Sequence, residues 1–319
     1  MVEGLVPVHV APDRRTRTGY AMVVTAALLW AVNGSVSKVM LVGGMPTQDL
    51  AELRAAGAFD GLLVVVLLTR PETLRMSRRE VPRIAVYGLV GFALVQLLYF
   101  VALQRLEVGI ALLLEFTAPL FVALWARFGA HERVRRRVWA ALALSLTGLA
   151  LVAEVWRGAT LDALGVAAAL GAALSLALYL VLGERIVGER DPVSLTCLAF
   201  GFAALFWTVV RPWWGFPSGT LSARVSLLGH LASVIVPMWL LALWLVVLGT
   251  IVPFILSIGA LRHLRATQVG VVGMVEPVAA AVVAYWWLGE ELGAAQVVGG
   301  AVVLVGVVLA ETARRPGGP

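Results

Sequence analysis

Long apolar runs alternate with short polar gaps along almost the whole chain. Each run is about 20 residues long, which is the length that an α-helix needs to cross the ~30 Å hydrocarbon layer of a bilayer. The pattern predicts an all-α membrane protein with ten transmembrane helices between two polar tails, 1–18 and 314–319. The predicted helices cover residues 19–39, 47–69, 84–103, 108–128, 138–155, 161–182, 193–210, 237–260, 266–288 and 293–313.

The arginines support this count and predict the orientation of the helices. Short cytoplasmic loops of membrane proteins collect Lys and Arg. With the N-terminus inside, 19 of the 25 Lys and Arg residues fall in the inner segments and four in the outer segments. A missed helix or an extra helix would break this alternation from that point on. We therefore expect both tails to be cytoplasmic.

Composition excludes several other classes of protein. With 61% hydrophobic and 14% charged residues and a mean hydropathy of +0.92, the chain is far more apolar than a soluble domain. The net charge of +6 does not indicate nucleic-acid binding, because the arginines lie in gaps between apolar runs. The single cysteine, Cys197, excludes an internal disulfide, and the four histidines show no metal-ligand spacing. Without a nucleophile or metal motif, we expect no enzyme, no metal and no cofactor.

Two carboxylates lie inside apolar runs. By the ~1.5 Å rise per residue of a helix, Glu115 is ~12 Å and Glu276 ~16 Å below the membrane surface, near the middle of the hydrocarbon layer. An ionisable group at this depth is costly and normally has a function. The alternative is a protonated carboxyl that only joins two helices by a hydrogen bond. As functional groups, the two carboxylates suit the exchange of a proton for a cationic or zwitterionic substrate.

Two basic residues can neutralise these carboxylates. Arg54 lies two turns into the second helix, on a face with small residues that lets neighbouring helices approach. Either it binds the carboxylate of a substrate, or it forms an ion pair with the nearby acidic residues Asp49, Glu52 or Asp60. Lys38 ends the first helix on the outer side, and we expect its ammonium to extend to the interface.

Aromatic and amide side chains complete the candidate site. Trp30 and Asn33 in the first helix, and Gln96 and Tyr99 in the third, are i,i+3 pairs, so each pair shares a helix face. Tyr179 lies in the sixth helix, where a second copy of the first half would place a polar group. An aromatic wall with a few convergent polar groups suits a small amphiphilic solute. The alternative for each of these residues is ordinary helix packing.

One loop is irregular. The sequence RPWWGFP at 211–217 places aromatic residues where an outer aromatic belt is expected. The following segment, 221–236, has an amphipathic pattern that predicts an interfacial helix on the outer surface. The alternative is that this segment forms the first part of a long eighth helix that continues through Pro237.

The two halves of the chain repeat each other weakly. A shift of 158 residues aligns 102–154 with 260–312 without a gap, and it matches Pro119 with Pro277 and Glu132 with Glu290. Pro and Glu are rare in this chain, so these matches carry the argument. Each copy holds five helices, and because five is odd, the second copy lies upside down relative to the first. This is the inverted-repeat plan of secondary transporters, with a site near the midplane between the halves.

These residues resemble a known family. The paired proline-containing helices, each with a glutamate just past its end, resemble the two EamA-type repeats of the drug/metabolite transporter superfamily. The run LLLEFTAPLFVAL at 112–124 is similar to that of the threonine/homoserine exporter branch. The resemblance implies two five-helix repeats, 19–155 and 161–313, in a carrier of the inner (cytoplasmic) membrane that is often an exporter.

The substrate and the assembly remain open at this stage. The resemblance favours export of small metabolites, amino acids or related compounds, and multidrug efflux by the same fold is the alternative. A non-transport membrane enzyme or receptor is a weaker alternative, since catalytic motifs and long loops are missing. Gly299, Gly300 and Gly306 indicate close helix packing, either inside the chain or with a second protomer, so a homodimer is one option.

Overall fold

The computed structural model describes residues 14–106, 108–156, 162–212 and 215–312, and most of them are helical. Short 3₁₀ helices occupy Pro71–Leu74, Ser218–Ser222 and Gly229–Leu231. The long helices are α1 (Arg14–Val42), α2 (Thr47–Thr69), α3 (Glu80–Leu103), α4 (Val108–Glu115 and Ala118–Leu124, continued by a π-helical turn at Trp125–Gly129), α5 (Arg136–Val152), α6 (Ala163–Ile186), α7 (Pro192–Val210), α8 (Met238–Ala260), α9 (Ala266–Gly273 and Val275–Val283, continued by a π-helical turn at Ala284–Leu288) and α10 (Ala294–Thr312).

The lengths and hydropathies of these helices describe a multi-pass membrane protein. Within the described residues, seven helices are long and apolar enough to cross a bilayer: α1, α3, α4, α6, α7, α8 and α9. The remaining predicted spans fall short of this criterion. Helix α2 is long enough but carries Asp49, Glu52, Arg54 and Asp60, while α5 has 17 residues and the apolar part of α10 is also short.

Helices α4 and α9 are interrupted at corresponding points. The break in α4 falls at Phe116 and Thr117, and the break in α9 falls at Met274, which is 158 residues beyond Phe116. A proline follows each break by a few residues. Because proline has no N–H, the carbonyls four residues before Pro119 and Pro277 lose their helical partners. The same local chemistry therefore opens both helices near the middle of their length.

Glycines bring α5 and α10 into backbone contact. A Cβ at Gly299 would lie 2.6 Å from the carbonyl oxygen of Gly148, and a Cβ at Gly306 would meet Ser145. Gly300 faces Val278 of α9. All three glycines of α10 are thus used for close packing inside this chain, so they no longer argue for a second protomer.

We expect Gly299→Ala to destabilise the protein, because the added methyl group meets backbone rather than a movable side chain. Overpacking of this kind costs about 1–3 kcal/mol. Gly34→Ala is the matched control, since nothing lies within 4 Å of its Cβ position; it should be neutral or stabilising by about 0.5–1 kcal/mol. Thermal unfolding in detergent micelles measures both variants, and equal melting temperatures would contradict the close contact.

An aromatic cluster joins α3, α6, α7 and α8. The Tyr87 and Tyr179 rings stack with centroids 5.7 Å apart, and Phe92 packs edge-on against both. Phe200 and Phe254 complete the cluster, each with its centroid 4.8 Å from that of Phe92. Tyr87, Phe92, Tyr179 and Phe200 are buried. The cluster therefore fills this part of the bundle with packed aromatic rings.

The segment 221–236 is not a helix, so this prediction was wrong. It forms a hairpin in which β1 (Arg224–Ser226) pairs antiparallel with β2 (Ile235–Pro237). Leu228 and Gly229 have φ angles of 65° and 49°, which turn the chain back and are incompatible with a continuous right-handed α-helix through this segment. The β-branched residues of both strands also favour the extended conformation.

The hairpin rests on the C-terminal end of α9. The indole Nε1 of Trp287 donates a hydrogen bond to the carbonyl of Leu227 at 2.8 Å. Nδ1 of His230 lies 2.8 Å from the carbonyl of Trp286. A Cβ at Gly229 would collide with the backbone of α9, so glycine permits this close contact. The hairpin thus holds one end of the helix that is broken at Met274.

Ion pairs connect the ends of several helices. Arg211, after α7, donates to Asp49 at 2.8 Å, and this hydrogen bond raises the pKa of the Arg211 guanidinium above its ordinary value. Lys38 pairs with Glu290 after α9, and both side chains are about half exposed. Asp49 therefore pairs with Arg211 and not with Arg54.

Candidate functional site

Arg54 is held in place by α8. Its Nε donates a hydrogen bond to Oγ1 of Thr250 at 3.2 Å, and that hydroxyl donates to the carbonyl of Leu245 at 2.7 Å. Thr250 is fully buried in a π-helical turn of α8, Val247–Ile251. A π turn shifts the backbone bonding by one residue and often occurs at functional sites. The turn presents the threonine hydroxyl to Arg54 across the interface between α2 and α8.

Two carboxylates face the same guanidinium. Glu115 and Glu276 both lie within electrostatic range of Arg54 and of each other. Glu115 is the last residue before the break in α4, and Glu276 is the second residue after the break in α9. Among the described residues, neither carboxylate comes within 4.0 Å of a basic side chain. The three charges are therefore close to one another but not locked in an ion pair.

These groups are neither sealed from the surroundings nor fully exposed. Arg54, Glu115 and Glu276 lie deep among the helices, yet each keeps an intermediate exposure. A charged group in a membrane bundle is tolerated where water or a ligand reaches it. One guanidinium and two carboxylates around an accessible space suit a small solute that carries both an anionic and a cationic group.

The predicted site residues divide into two groups. Tyr99 lies within electrostatic range of both Glu115 and Glu276, so the structure places it at the charged group. Gln96 is half-buried one turn earlier on α3 and makes no hydrogen bond to the described protein atoms. Asn33 is buried against Gly249, next to Thr250, and its Oδ1 has no hydrogen-bond partner among the described residues.

Tyr179 was predicted to line the site, but the structure does not bring it to the charged group. Its hydroxyl donates to Oγ of Ser257 at 3.2 Å, and its ring belongs to the aromatic cluster. Trp30 lies at the edge of the same cluster, with its ring centroid 5.3 Å from that of Phe254. Rings of this size pack preferentially with one another, so the polar tip of Tyr179 finds a partner in α8 instead.

Arg54 does not form the predicted alternative ion pair with its acidic neighbours. Asp49 binds Arg211, and the carboxylate oxygens of Glu52 have no hydrogen-bond partner in the described chain. The residue that sequence reasoning missed is Thr250. In the sequence, only its hydroxyl group within the apolar run 237–260 indicated a possible role. In the described residues, no cluster of three His, Cys, Asp or Glu side chains is placed to hold a metal ion.

Comparison with known proteins decides the family. The model of the EamA-like transporter family matches residues 17–153 and again residues 163–312. This chain belongs to the EamA-like transporter family. The two matches cover nearly all of the described helices of the EamA chain.

Relatives of this EamA transporter extend over most of its length. An uncharacterized transporter of Archaeoglobus fulgidus is 30% identical over 93% of this chain and 97% of its own. The threonine/homoserine exporter RhtA of Escherichia coli is 29% identical over 80% of each chain. A protein of known crystal structure matches 95% of this chain and 98% of its own with a TM-score of 0.72. Its identity of 20% shows a shared fold alone.

We expect Thr250→Val to weaken substrate binding by this EamA transporter. Valine keeps the shape of threonine but removes the hydroxyl that accepts from Arg54, and a lost hydrogen bond costs about 0.5–1.5 kcal/mol. The apparent affinity for a carboxylate-containing substrate should fall about two- to tenfold. Thr250→Ser keeps the hydroxyl and should bind like the wild type. Equal affinities of the valine and serine variants in a binding assay would show that Thr250 does not position Arg54.

Proposed function

We propose that this chain is a secondary transporter that exports small metabolites, with amino acids or related compounds favoured, by alternating access. The observation that carries this proposal is the Arg54 guanidinium, anchored on Thr250 and within electrostatic range of two carboxylates at helix breaks. Secondary transporters bind their cargo at breaks of this kind, near the middle of discontinuous membrane helices.

The charges suggest how a zwitterion binds. Its carboxylate is placed on Arg54, whose planar guanidinium keeps N–H groups available beside the bond from Nε to Thr250. Its ammonium is placed against Glu115 or Glu276, and Tyr99 offers a hydroxyl nearby. Charge-assisted hydrogen bonds of this type are about twice as strong as neutral ones. The site therefore favours amino acids over uncharged solutes.

The proposal includes a ten-helix inverted repeat in the inner membrane. The breaks of α4 and α9 lie 158 residues apart, as the repeat requires, and α2, α5 and α10 add three helices to the seven apolar ones. The arginine distribution favours cytoplasmic termini. In this orientation α4 enters from the outer side and α9 from the inner side, so the two breaks face each other near the midplane. The homodimer is still a prediction, and light scattering of the purified protein in detergent tests it.

Purified protein in proteoliposomes tests the function. The first solutes are L-threonine and L-homoserine, because the RhtA relative is named as an exporter of them. We expect preloaded radiolabelled solute to leave the vesicles faster than from protein-free vesicles, and to be recovered chemically unchanged. A cationic dye serves as the competing cargo. Movement of the dye without movement of any amino acid would replace this proposal by multidrug efflux.

A further inference from the structure

A second polar space lies where α4, α6 and α9 meet. It is a cavity of about 210 Å³, and none of Arg54, Glu115 and Glu276 lines it. Its wall combines charged side chains, an indole and small apolar groups. In the proposed orientation the cavity opens toward the cytoplasm, because it lies at the end of α4 and α6 and at the start of α9. The lining residues that matter here are Trp125, Glu132, Val181, Glu184, Arg185 and Arg265.

One carboxylate of the cavity has a fixed position. Oε2 of Glu184 accepts a hydrogen bond from the backbone N–H of Ala266 at 3.0 Å, at the N-terminus of α9. Helix N-termini stabilise carboxylates through their free N–H groups. Oε1 of Glu184 accepts no hydrogen bond from the described residues. The carboxylate therefore keeps one oxygen for a cationic partner in the cavity.

Arg185 also has a defined position in the cavity, although its N–H groups donate no hydrogen bond to the described protein atoms. Arg185 lies over the ring of Trp125, with its central carbon 5.5 Å from the ring centroid. This cation–π contact does not require the guanidinium N–H groups to donate to a protein oxygen. In the described part of the chain, Arg185 donates no hydrogen bond to a protein acceptor. It is thus free to bind a carboxylate.

The other two charges in the wall are already paired with each other. Arg265 donates to Glu132 at 2.6 Å, which connects the start of α9 to the segment after α4. This pair leaves Glu184 and Arg185 as the groups of opposite charge in the wall that form no salt bridge within 4.0 Å among the described residues, although Arg265 also attracts Glu184 electrostatically. Because Arg54, Glu115 and Glu276 do not line this cavity, a solute can bind in it without contacting them.

We propose that this cavity is a second substrate site, where a zwitterionic amino acid binds before it reaches Arg54. Its ammonium binds Glu184, its carboxylate binds Arg185, and its side chain faces Val181. The volume holds about seven waters at ~30 Å³ each, and it is below the ~300 Å³ of drug-sized pockets, so it suits a small metabolite. This inference rests on the proposed function and names the solute class for its entry step.

Equilibrium dialysis of radiolabelled L-threonine tests the second site. The protein is the full chain in detergent with Arg54→Ala, which removes the central anchor. We expect this variant to keep one saturable class of L-threonine binding. Adding Arg185→Gln or Glu184→Gln should weaken that binding at least about threefold, as for partly exposed charge pairs. The matched control is Glu189→Gln, which removes an exposed charge at the same end of α6 but outside the cavity wall.

Trp125 supplies a second readout. Binding of L-threonine to the Arg54→Ala protein should change the tryptophan fluorescence, and Trp125→Phe should remove this change. Threoninol, which lacks the carboxylate, should bind at least about threefold more weakly, because it cannot use Arg185.

Two results would overturn the second site. One is the absence of saturable L-threonine binding to a folded Arg54→Ala protein, and the other is binding that Glu184→Gln and Arg185→Gln leave unaltered. Melting temperatures establish that each variant is folded. Failure of the proposed function appears differently, as wild-type protein that moves no amino acid in proteoliposomes, whatever the dialysis shows.

Discussion

Arg54→Ala should nearly abolish transport of amino acids, and this is the largest effect that we expect. The guanidinium is the only basic group that the described structure places within electrostatic range of both Glu115 and Glu276. Its loss removes the carboxylate anchor and leaves two acidic groups without a nearby cation. Removing the charged hydrogen-bond partner of a bound carboxylate costs about 2–4 kcal/mol, or about thirty- to a thousandfold in apparent affinity.

Arg54→Lys is the matched variant for this prediction. It keeps the positive charge but loses Nε, the atom that donates to Thr250, so we expect an intermediate affinity. Initial rates of uptake into proteoliposomes at several concentrations separate affinity from maximal rate. An Arg54→Ala carrier with unaltered apparent affinity for zwitterionic substrates would refute the role of Arg54 as carboxylate anchor.

Glu115→Gln should abolish exchange driven by a pH gradient. Arg54 can neutralise only one of the two nearby carboxylates, so the other is neutralised by a proton or paired with a substrate ammonium. Glutamine keeps the size of Glu115 and, like the protonated carboxyl, has one acceptor oxygen and a donor, but it cannot exchange a proton. In proteoliposomes, amino-acid flux through the variant should be the same with and without the gradient, while the wild type should respond.

Glu276→Gln distinguishes the two carboxylates. The internal repeat does not align these two residues with each other. Glu115 lies before the break in α4, whereas Glu276 lies after the break in α9. If Glu115 carries the proton, the Glu276→Gln carrier keeps its response to the gradient at a lower affinity. A Glu115→Gln carrier that exchanges substrate against a pH gradient as fast as the wild type would show that the proton role is wrong.

Helix α9 connects the parts of the molecule on which these predictions depend. At its start, Arg265 pairs with Glu132 and Ala266 binds Glu184. At its end, the hairpin binds Trp287, and Glu290 pairs with Lys38. Between these attachments the helix is broken at Met274, next to Glu276. A helix that is held at both ends and broken in the middle can bend at the site without losing its neighbours.

Local chemistry explains why much of this molecule was predictable from the sequence. The helices of a membrane protein follow from run length, since every backbone group must be satisfied within the segment. Pro119 and Pro277 lie just after the two breaks, where the missing N–H of proline leaves the carbonyl four residues earlier without its helical partner. Glu115 and Glu276 stand out for a related reason, because a carboxylate in an apolar run is costly in any fold.

Other features were decided only by the tertiary structure. Arg54 had acidic neighbours in its own helix, but its bond goes to Thr250, 196 residues away, at a π turn that the sequence does not mark. Tyr179 looked like a polar site residue until packing placed it among other rings. The hairpin at 224–237 was predicted as a helix, because an amphipathic pattern alone does not reveal a partner strand.

The sequence by itself determined the apolar helices and the two acidic groups within them, because each depends on the cost of placing one residue in a given local environment. The tertiary structure decided which side chains meet. A pairing such as Arg54 with Thr250 depends on the relative position of two helices, and that position results from packing along their whole length rather than from any short stretch of sequence.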